Sequence, residues 1–193
     1  ASSSEVYGEP LGHPQDEEQL GLVDPVGPRS CYDEAKRYAE ALSVAHARVH
    51  GTNVGIARIF NTYGERMDPD DGRVVNTFLR QAIRGEPMTV FGDGSHTRSF
   101  CHVSDLVLGL GCLLDGDHRG PLNLGNPIEV SMLELAGLVA EACGSSSHVV
   151  FEELPVGRAG DPTRRRPDVT LAGELLGWRP SVGLPEGLAR MVD

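Results

Sequence analysis

The sequence predicts an α/β fold, and three observations carry that reading. Apolar runs of strand length alternate with longer segments of helical character along the chain. Residues 53–60 gather Val54, Ile56, Ile59 and Phe60 into one buried strand. Patterns of helix length flank that strand, over residues 33–50 and 74–84.

The elements follow in order. Residues 1–8 set Ser2, Ser3, Ser4 and the carboxylate of Glu5 at the end of a strand. Residues 9–29 are rich in Gly, Pro and acids and read as a loop. In the helix over 33–50, Ala39, Leu42, Val44, Ala45 and Val49 supply apolar positions, and Gly51 supplies a stop. Asn61 opens a loop at the C-terminal end of the strand over 53–60, the edge where open α/β sheets place ligands. Gly85-Glu86-Pro87 stops the helix over 74–84, and residues 89–91 form a short strand before the turn Gly92-Asp93-Gly94. Residues 98–103 read as a further strand, running into an apolar helix over 105–114. Residues 122–124 are a strand, and Ser131, three positions before Glu134, gives the next helix a capping box. A strand over 149–152 and a short helix over 169–176, ahead of Trp178, complete the reading.

Composition narrows the class. With 193 residues, 39% hydrophobic, and a mean hydropathy of −0.22, the chain has the make-up of a soluble globular protein. A formal net charge of −11 argues against a nucleic-acid or anionic-membrane binder, so an anionic ligand requires local arginines. Cys31, Cys101, Cys112 and Cys143 show no Cys-x-x-Cys spacing, which points away from a disulfide framework or zinc site and suits a reducing cytoplasm. His46 and His50 lack a third ligand, so no metal is expected. No apolar run approaches membrane-spanning length, and the first residues lack signal-peptide character.

Tyr32 and Lys36 carry the chemistry. Four residues apart on a helix, a phenol and an ammonium project from one face. A free tyrosine titrates near pH ~10 and is a poor base at neutrality, and a cation beside it favours the phenolate. With the hydroxyls of residues 2–4 upstream, the chain holds a Ser–Tyr–Lys set, which resembles the hydroxyl-oxidising apparatus of short-chain dehydrogenases/reductases. Further segments in the same order strengthen the resemblance: Arg58-Ile59-Phe60-Asn61-Thr62-Tyr63-Gly64-Glu65-Arg66, Asp71-Gly72-Arg73-Val74-Val75, Thr97-Arg98-Ser99-Phe100-Cys101-His102, and Asp161-Pro162-Thr163-Arg164-Arg165-Arg166-Pro167-Asp168. Together they are similar to extended members that act on nucleotide sugars, above all the UDP-glucuronate decarboxylases (UDP-xylose synthases) of the NAD-dependent epimerase/dehydratase family.

The resemblance implies the C-terminal part of a Rossmann-type parallel sheet over 1–84. It implies a small mixed α/β substrate-binding lobe over 85–193, with 97–118 returning to the first part. It implies NAD as cofactor and a UDP-sugar as substrate. Tyr32 then takes the proton of the sugar C4 hydroxyl, Lys36 favours its phenolate and holds the nicotinamide ribose, and Ser3 orients the reacting oxygen. Thr62 and Arg73 match positions close to the cofactor. Asn61, Val75, Asn76, Arg98 and Arg165 match positions that hold the substrate. Ser4-Glu5 stands where related dehydratases have Asp-Glu, and a serine hydrogen-bonds a carboxylate without the repulsion of an ionised aspartate. Glu5 then places substrate or water, and Arg165 donates the proton that quenches the enolate at C5 after decarboxylation. Arg164 and Arg166 are expected at the surface.

A Gly-x-Gly-x-x-Gly fingerprint is absent: Gly109-Leu110-Gly111 fails at the third glycine, and Gly92-Asp93-Gly94 reads as a turn. The sequence therefore reads as the C-terminal portion of a longer protein. Family members dimerise through the Tyr-x-x-x-Lys helix and its predecessor, so the full-length protein is expected to be a homodimer. Two alternatives stay open: a nucleotide-sugar 4,6-dehydratase or 4-epimerase using the same pair, and a non-catalytic fragment because the dinucleotide-binding turn is absent. On its own the chain is expected to be inactive and to aggregate through exposed apolar sheet edges.

Overall fold

In the computed structural model, which describes residues 1–154 and 162–192, strand and helix alternate as the spacing predicts. Strand β1 (Ser2–Ser3) leads into a 3-10 turn (Ser4–Tyr7), helix α1 (Ser30–His50) and strand β2 (Gly55–Ile59). There follow β3 (Thr62–Tyr63), α2 (Val74–Ile83), β4 (Met88–Phe91), β5 (Thr97–Ser99), β6 (Cys101–His102) and α3 (Val103–Asp115). The order closes with β7 (Gly120–Leu124), β8 (Glu129–Ser131), α4 (Met132–Ala142), β9 (Val149–Glu152), β10 (Arg164–Arg165), α5 (Thr170–Leu176) and α6 (Leu184–Val192).

One sheet runs β1-β2-β7, all parallel, with α1 and α3 as the connections that parallel strands require. Its register sets Ser3 beside Ile59 and Ile59 beside Leu124. The three strands therefore end at one edge, and the chain leaves that edge through Ser4-Glu5, Phe60-Asn61 and Gly125-Asn126. Behind it, Ala57, Leu106, Leu113, Leu122, Leu124 and Trp178 form a buried cluster. A second cluster gathers the apolar face of α2 (Val75, Phe78, Leu79, Ala82) with Met88, Val90, Leu135, Val139 and Leu188. Here β4 pairs in parallel with β9, while β5 pairs in parallel with β10 and antiparallel with β8.

Several elements depart from expectation for physical reasons. Helix α1 begins at Ser30 rather than 33, so Tyr32 lies inside its first turn and Arg29 stands at the cap position. Gly51 does end it, in a left-handed conformation with its N–H bonded to Ala47 O at 2.8 Å. The strand expected over 98–103 is two strands, because the chain changes sheets at buried Phe100: β5 pairs with β8 and β10, and β6 pairs with β3. The capping box of α4 forms as read, with the Ser131 hydroxyl accepting from Glu134 N and the Glu134 carboxylate accepting from Ser131 N. Helix α6 was missed; Leu184, Leu188 and Met191 give it an apolar stripe against the second cluster. No helix among the described residues is long and apolar enough to cross a membrane.

Candidate active site

The sheet edge where β1 and β2 end opens into a cavity of about 620 Å³, within the size range of small-molecule sites. Ser3, Ser4, Glu5, Tyr32, Lys36, Asn61, Thr62, Arg73, Val75, Arg98 and Arg165 all line it. Residues scattered over 163 positions of sequence thus meet at one place. Asn76 does not line it: buried in α2, its amide donates to Asp68 O (2.6 Å) and Asp71 Oδ1 (3.3 Å), holding the loop before the helix. Asp161 lies outside the described residues.

Ser3 stands just before the 3-10 turn, where its hydroxyl accepts from Glu5 N at 3.3 Å. Tyr32, on the facing helix, is 49% exposed and so presents its ring to the cavity rather than to the core. Lys36 follows one helical turn later, with its ammonium 5.8 Å from the Tyr32 ring centroid. That ammonium donates to Ala1 O at 3.2 Å, which ties the helix to the start of β1. A second tie is stronger. Arg58 on β2 forms two hydrogen bonds with the Glu40 carboxylate of α1, at 3.0 and 2.8 Å, and Glu40 also accepts from the Ser2 hydroxyl at 2.5 Å. The helix bearing Tyr32 and Lys36 is therefore clamped onto the strand bearing Ser3.

Glu5 lines the same cavity. Its Oε2 accepts from Arg29 at 2.9 Å and from Arg165 at 3.2 Å. Arg165 is only 1% exposed and also donates to Gly8 O at 3.0 Å. Burial pushes its guanidinium below the ordinary arginine range, and the Glu5 carboxylate works in the opposite direction. Asp33, the one buried residue of α1, lies nearby, and burial and then the charge of Glu5 raise its carboxyl above the usual aspartate range. Glu5, held between two guanidiniums, is an oriented acceptor.

The remaining residues fall into place on the rim. Thr62 donates its hydroxyl to Phe60 O at 2.9 Å, fixing the turn after β2. Asn61 has its carbonyl bonded by Cys101 N at 2.9 Å, which leaves the side-chain amide as its cavity-facing chemistry. Arg73 precedes α2 with its Nε 3.5 Å from Asp71 Oδ2. Arg98 donates to Thr97 O and Thr163 O at 2.8 and 3.2 Å. Arg164 is an exposed partner of Glu129, whereas Arg166 is half-buried rather than at the surface. Sequence reasoning passed over Arg29 altogether. Its signal was a cation three residues before Tyr32 at the true start of α1.

For a cofactor, the donor set is informative. An ammonium, a phenol and a serine hydroxyl facing one cavity suit the ribose diol and reacting hydroxyl at the nicotinamide end of a dinucleotide. Arginines on the same cavity suit phosphate or carboxylate groups, which they bind with paired hydrogen bonds.

Comparison with known proteins identifies the family. The family model described as the NAD dependent epimerase/dehydratase family matches residues 1–125. The chain is 56% identical over 192 residues to UDP-glucuronic acid decarboxylase 1 of Arabidopsis thaliana, covering 100% of this chain and 43% of that protein. It is 52% identical over 193 residues to UDP-glucuronic acid decarboxylase 1 of Danio rerio, covering 100% of this chain and 46% of that protein. The chain thus spans about half the length of these curated relatives. Among solved structures, UDP-glucose 4-epimerase of Thermotoga maritima with UDP-glucose superposes with a TM-score of 0.89 at 30% identity, covering 99% of this chain and 60% of that one. UDP-glucuronic acid 4-epimerase of Bacillus cereus in complex with UDP-glucuronic acid and NAD gives 0.83 at 28% identity, with 99% and 58% covered.

Proposed function

The chain belongs to the NAD dependent epimerase/dehydratase family, with the Rossmann-type α/β fold of its structural neighbours, and on that premise we propose that it carries the catalytic half of a UDP-glucuronate decarboxylase. The observation that carries the reading is the part of the cavity lining at Ser4 and Glu5, where Glu5 is paired with both Arg29 and Arg165; a serine precedes that glutamate, where the resemblance puts an aspartate in dehydratases. A wall of that charge accepts a sugar carboxylate. Identity above half to proteins named UDP-glucuronic acid decarboxylase supports the same substrate.

Tyr32 takes the proton of the sugar C4 hydroxyl, with Ser3 orienting that oxygen and Lys36 stabilising the phenolate. NAD, when bound, would supply the reversible hydride chemistry at C4, and Lys36, Tyr32, Thr62 and Arg73 are the residues of this chain that would hold its nicotinamide end. With C4 a ketone, the C5 carboxylate is that of a β-keto acid. The C5–C6 bond breaks, carbon dioxide leaves, and the electron pair enters an enolate that requires no strong base. Ser4 steadies the carboxylate before departure. Arg165 then gives a proton to C5; burial lowers its hold on that proton, against the pull of Glu5, and the contact with Glu5 aims it. Asn61, Arg98 and the backbone at Val75 hold the nucleotide sugar.

The same proposal includes a cytoplasmic homodimer and the division at residue 84. The outward face of α1 supports the dimer: Tyr38, Leu42 and Val49 are exposed along it. The decisive experiment incubates the full gene product containing these residues with UDP-glucuronate and NAD and follows the nucleotide sugar by mass spectrometry. Loss of carbon dioxide, abolished by Tyr32→Phe, is expected. Folded, NAD-loaded protein that leaves UDP-glucuronate intact overturns the assignment and favours a dehydratase or epimerase acting on a neutral sugar.

A further inference from the structure

Arg165 sits on a strand of two residues whose ladder partner is β5, with Arg165 beside Arg98. So short a strand does not by itself hold a guanidinium in place, yet Arg165 is buried and aimed at Glu5. The loop over 9–29 supplies what is missing. Gln15 is 0% exposed although no helix carries it. Its N–H donates to Arg166 O at 2.8 Å, its side-chain Oε1 accepts from Arg166 N at 2.8 Å, and its carbonyl accepts from Asp168 N at 2.7 Å. The residue next to Arg165 is thus gripped on both its N–H and its C=O. The Gln15 amide is itself fixed by donation to Gly12 O at 3.2 Å and by His13 Nδ1 at 3.4 Å.

Gln15 also reaches the central sheet. Its carbonyl accepts from Asn123 Nδ2 at 3.0 Å, and Asn123, on β7, is 0% exposed and accepts from the Tyr7 hydroxyl at 2.7 Å. Tyr7 ends the turn that begins with Ser4 and Glu5. A buried polar chain therefore links the segment carrying Arg165 to the turn carrying Glu5, through Gln15, Asn123 and Tyr7. Fully satisfied buried networks of this kind fix a single geometry.

We propose that Gln15 is a positioning residue, setting the Arg165 guanidinium at one face of C5 so that protonation there is directed. The inference rests on the decarboxylase reading. In the step concerned the C5–C6 bond has broken, an Arg165 N–H bond breaks, its proton forms the new C5–H bond, and the enolate closes to the C4 ketone. Solvent returns a proton to Arg165.

The direct readout is the C5 methylene of the product formed in deuterated water. The full gene product is expected to deliver deuterium to one C5 position, axial or equatorial by NMR. In Gln15→Met the side chain keeps its bulk but loses the acceptor for Arg166 N. It is expected to give a mixture of the two positions, to release more of the 4-keto pentose, and to form UDP-xylose about tenfold more slowly, since misplacement of a reacting group near 1 Å costs rate on that scale or beyond. Gln15→Asn, with the amide withdrawn by one methylene, carries the same expectation should Gln15→Met not fold. A folded variant that retains single-position labelling overturns the proposal, and so does loss of folding in both, which would make Gln15 a stability residue alone. Wild-type protein that releases no carbon dioxide sinks the decarboxylase reading instead, and the two failures are therefore distinct.

Discussion

Glu5 shows how one carboxylate organises a site. It offsets two guanidiniums, of which Arg165 is almost wholly withdrawn from water. Removing one partner of such a pair leaves an uncompensated buried charge, so Glu5→Gln is expected to destabilise the fold by roughly 3 kcal/mol in urea unfolding. Asp33 works with the opposite sign. Burial, and then the charge of Glu5, raise its carboxyl, so ionised Asp33 costs stability once pH exceeds its folded value. Below its unfolded value the proton is held in both states and the cost disappears. Asp33→Asn is therefore expected to raise the urea midpoint at pH ~7, with the gain fading toward pH ~4. A gain of equal size at both pH values would contradict this account.

Elements are locked by single side chains that bridge them. The Arg58–Glu40 clamp is the principal tie between α1 and the parallel sheet, with both side chains about seven-eighths buried. Glu40→Gln breaks its charge pairing and is expected to cost about 3 kcal/mol and to lower turnover, because α1 carries Tyr32 and Lys36. Helix α6 is seated differently, by close approach. A Cβ on Gly187 would lie 2.0 Å from the Tyr63 hydroxyl and 2.9 Å from the His102 ring. Gly187→Ala is thus expected to lose about 1–3 kcal/mol through overpacking, read as a lowered thermal midpoint. Helix α4, by contrast, was legible in advance, since a capping box needs only two residues three apart.

At the scale of the whole molecule, charge and surface decide behaviour. A chain of net charge −11 presents a cavity lined by Arg29, Arg73, Arg98, Arg165 and Lys36 against Glu5 and Asp71, so on the proposed reading a nucleoside diphosphate sugar would meet a locally basic site in an acidic protein. Affinity for UDP-glucuronate is expected to fall several-fold as salt rises from about 0.05 to 0.5 M, because the Debye length shrinks over that range. Titration calorimetry at two salt concentrations measures it. The apolar stripe on α1 gives a second expectation: Leu42→Glu in the full gene product shifts a dimer to monomer in light scattering.

Local pattern alone determined the α/β class, most element positions, the Tyr32–Lys36 pair and the cluster of hydroxyls before Glu5, because apolar periodicity, capping and i, i+4 spacing act over a few residues. The earlier start of α1, the change of sheet at Phe100, the inward turn of Asn76 and the seating of α6 were decided by partners distant in sequence. The same holds for the cavity lining at Glu5. Glu5 and Arg165 are 160 positions apart, and Gln15 and Arg166 are 151 apart. No spacing rule connects such residues. Only the burial of the two strand ends beside one another makes a carboxylate choose its arginines and gives a loop glutamine a strand to hold.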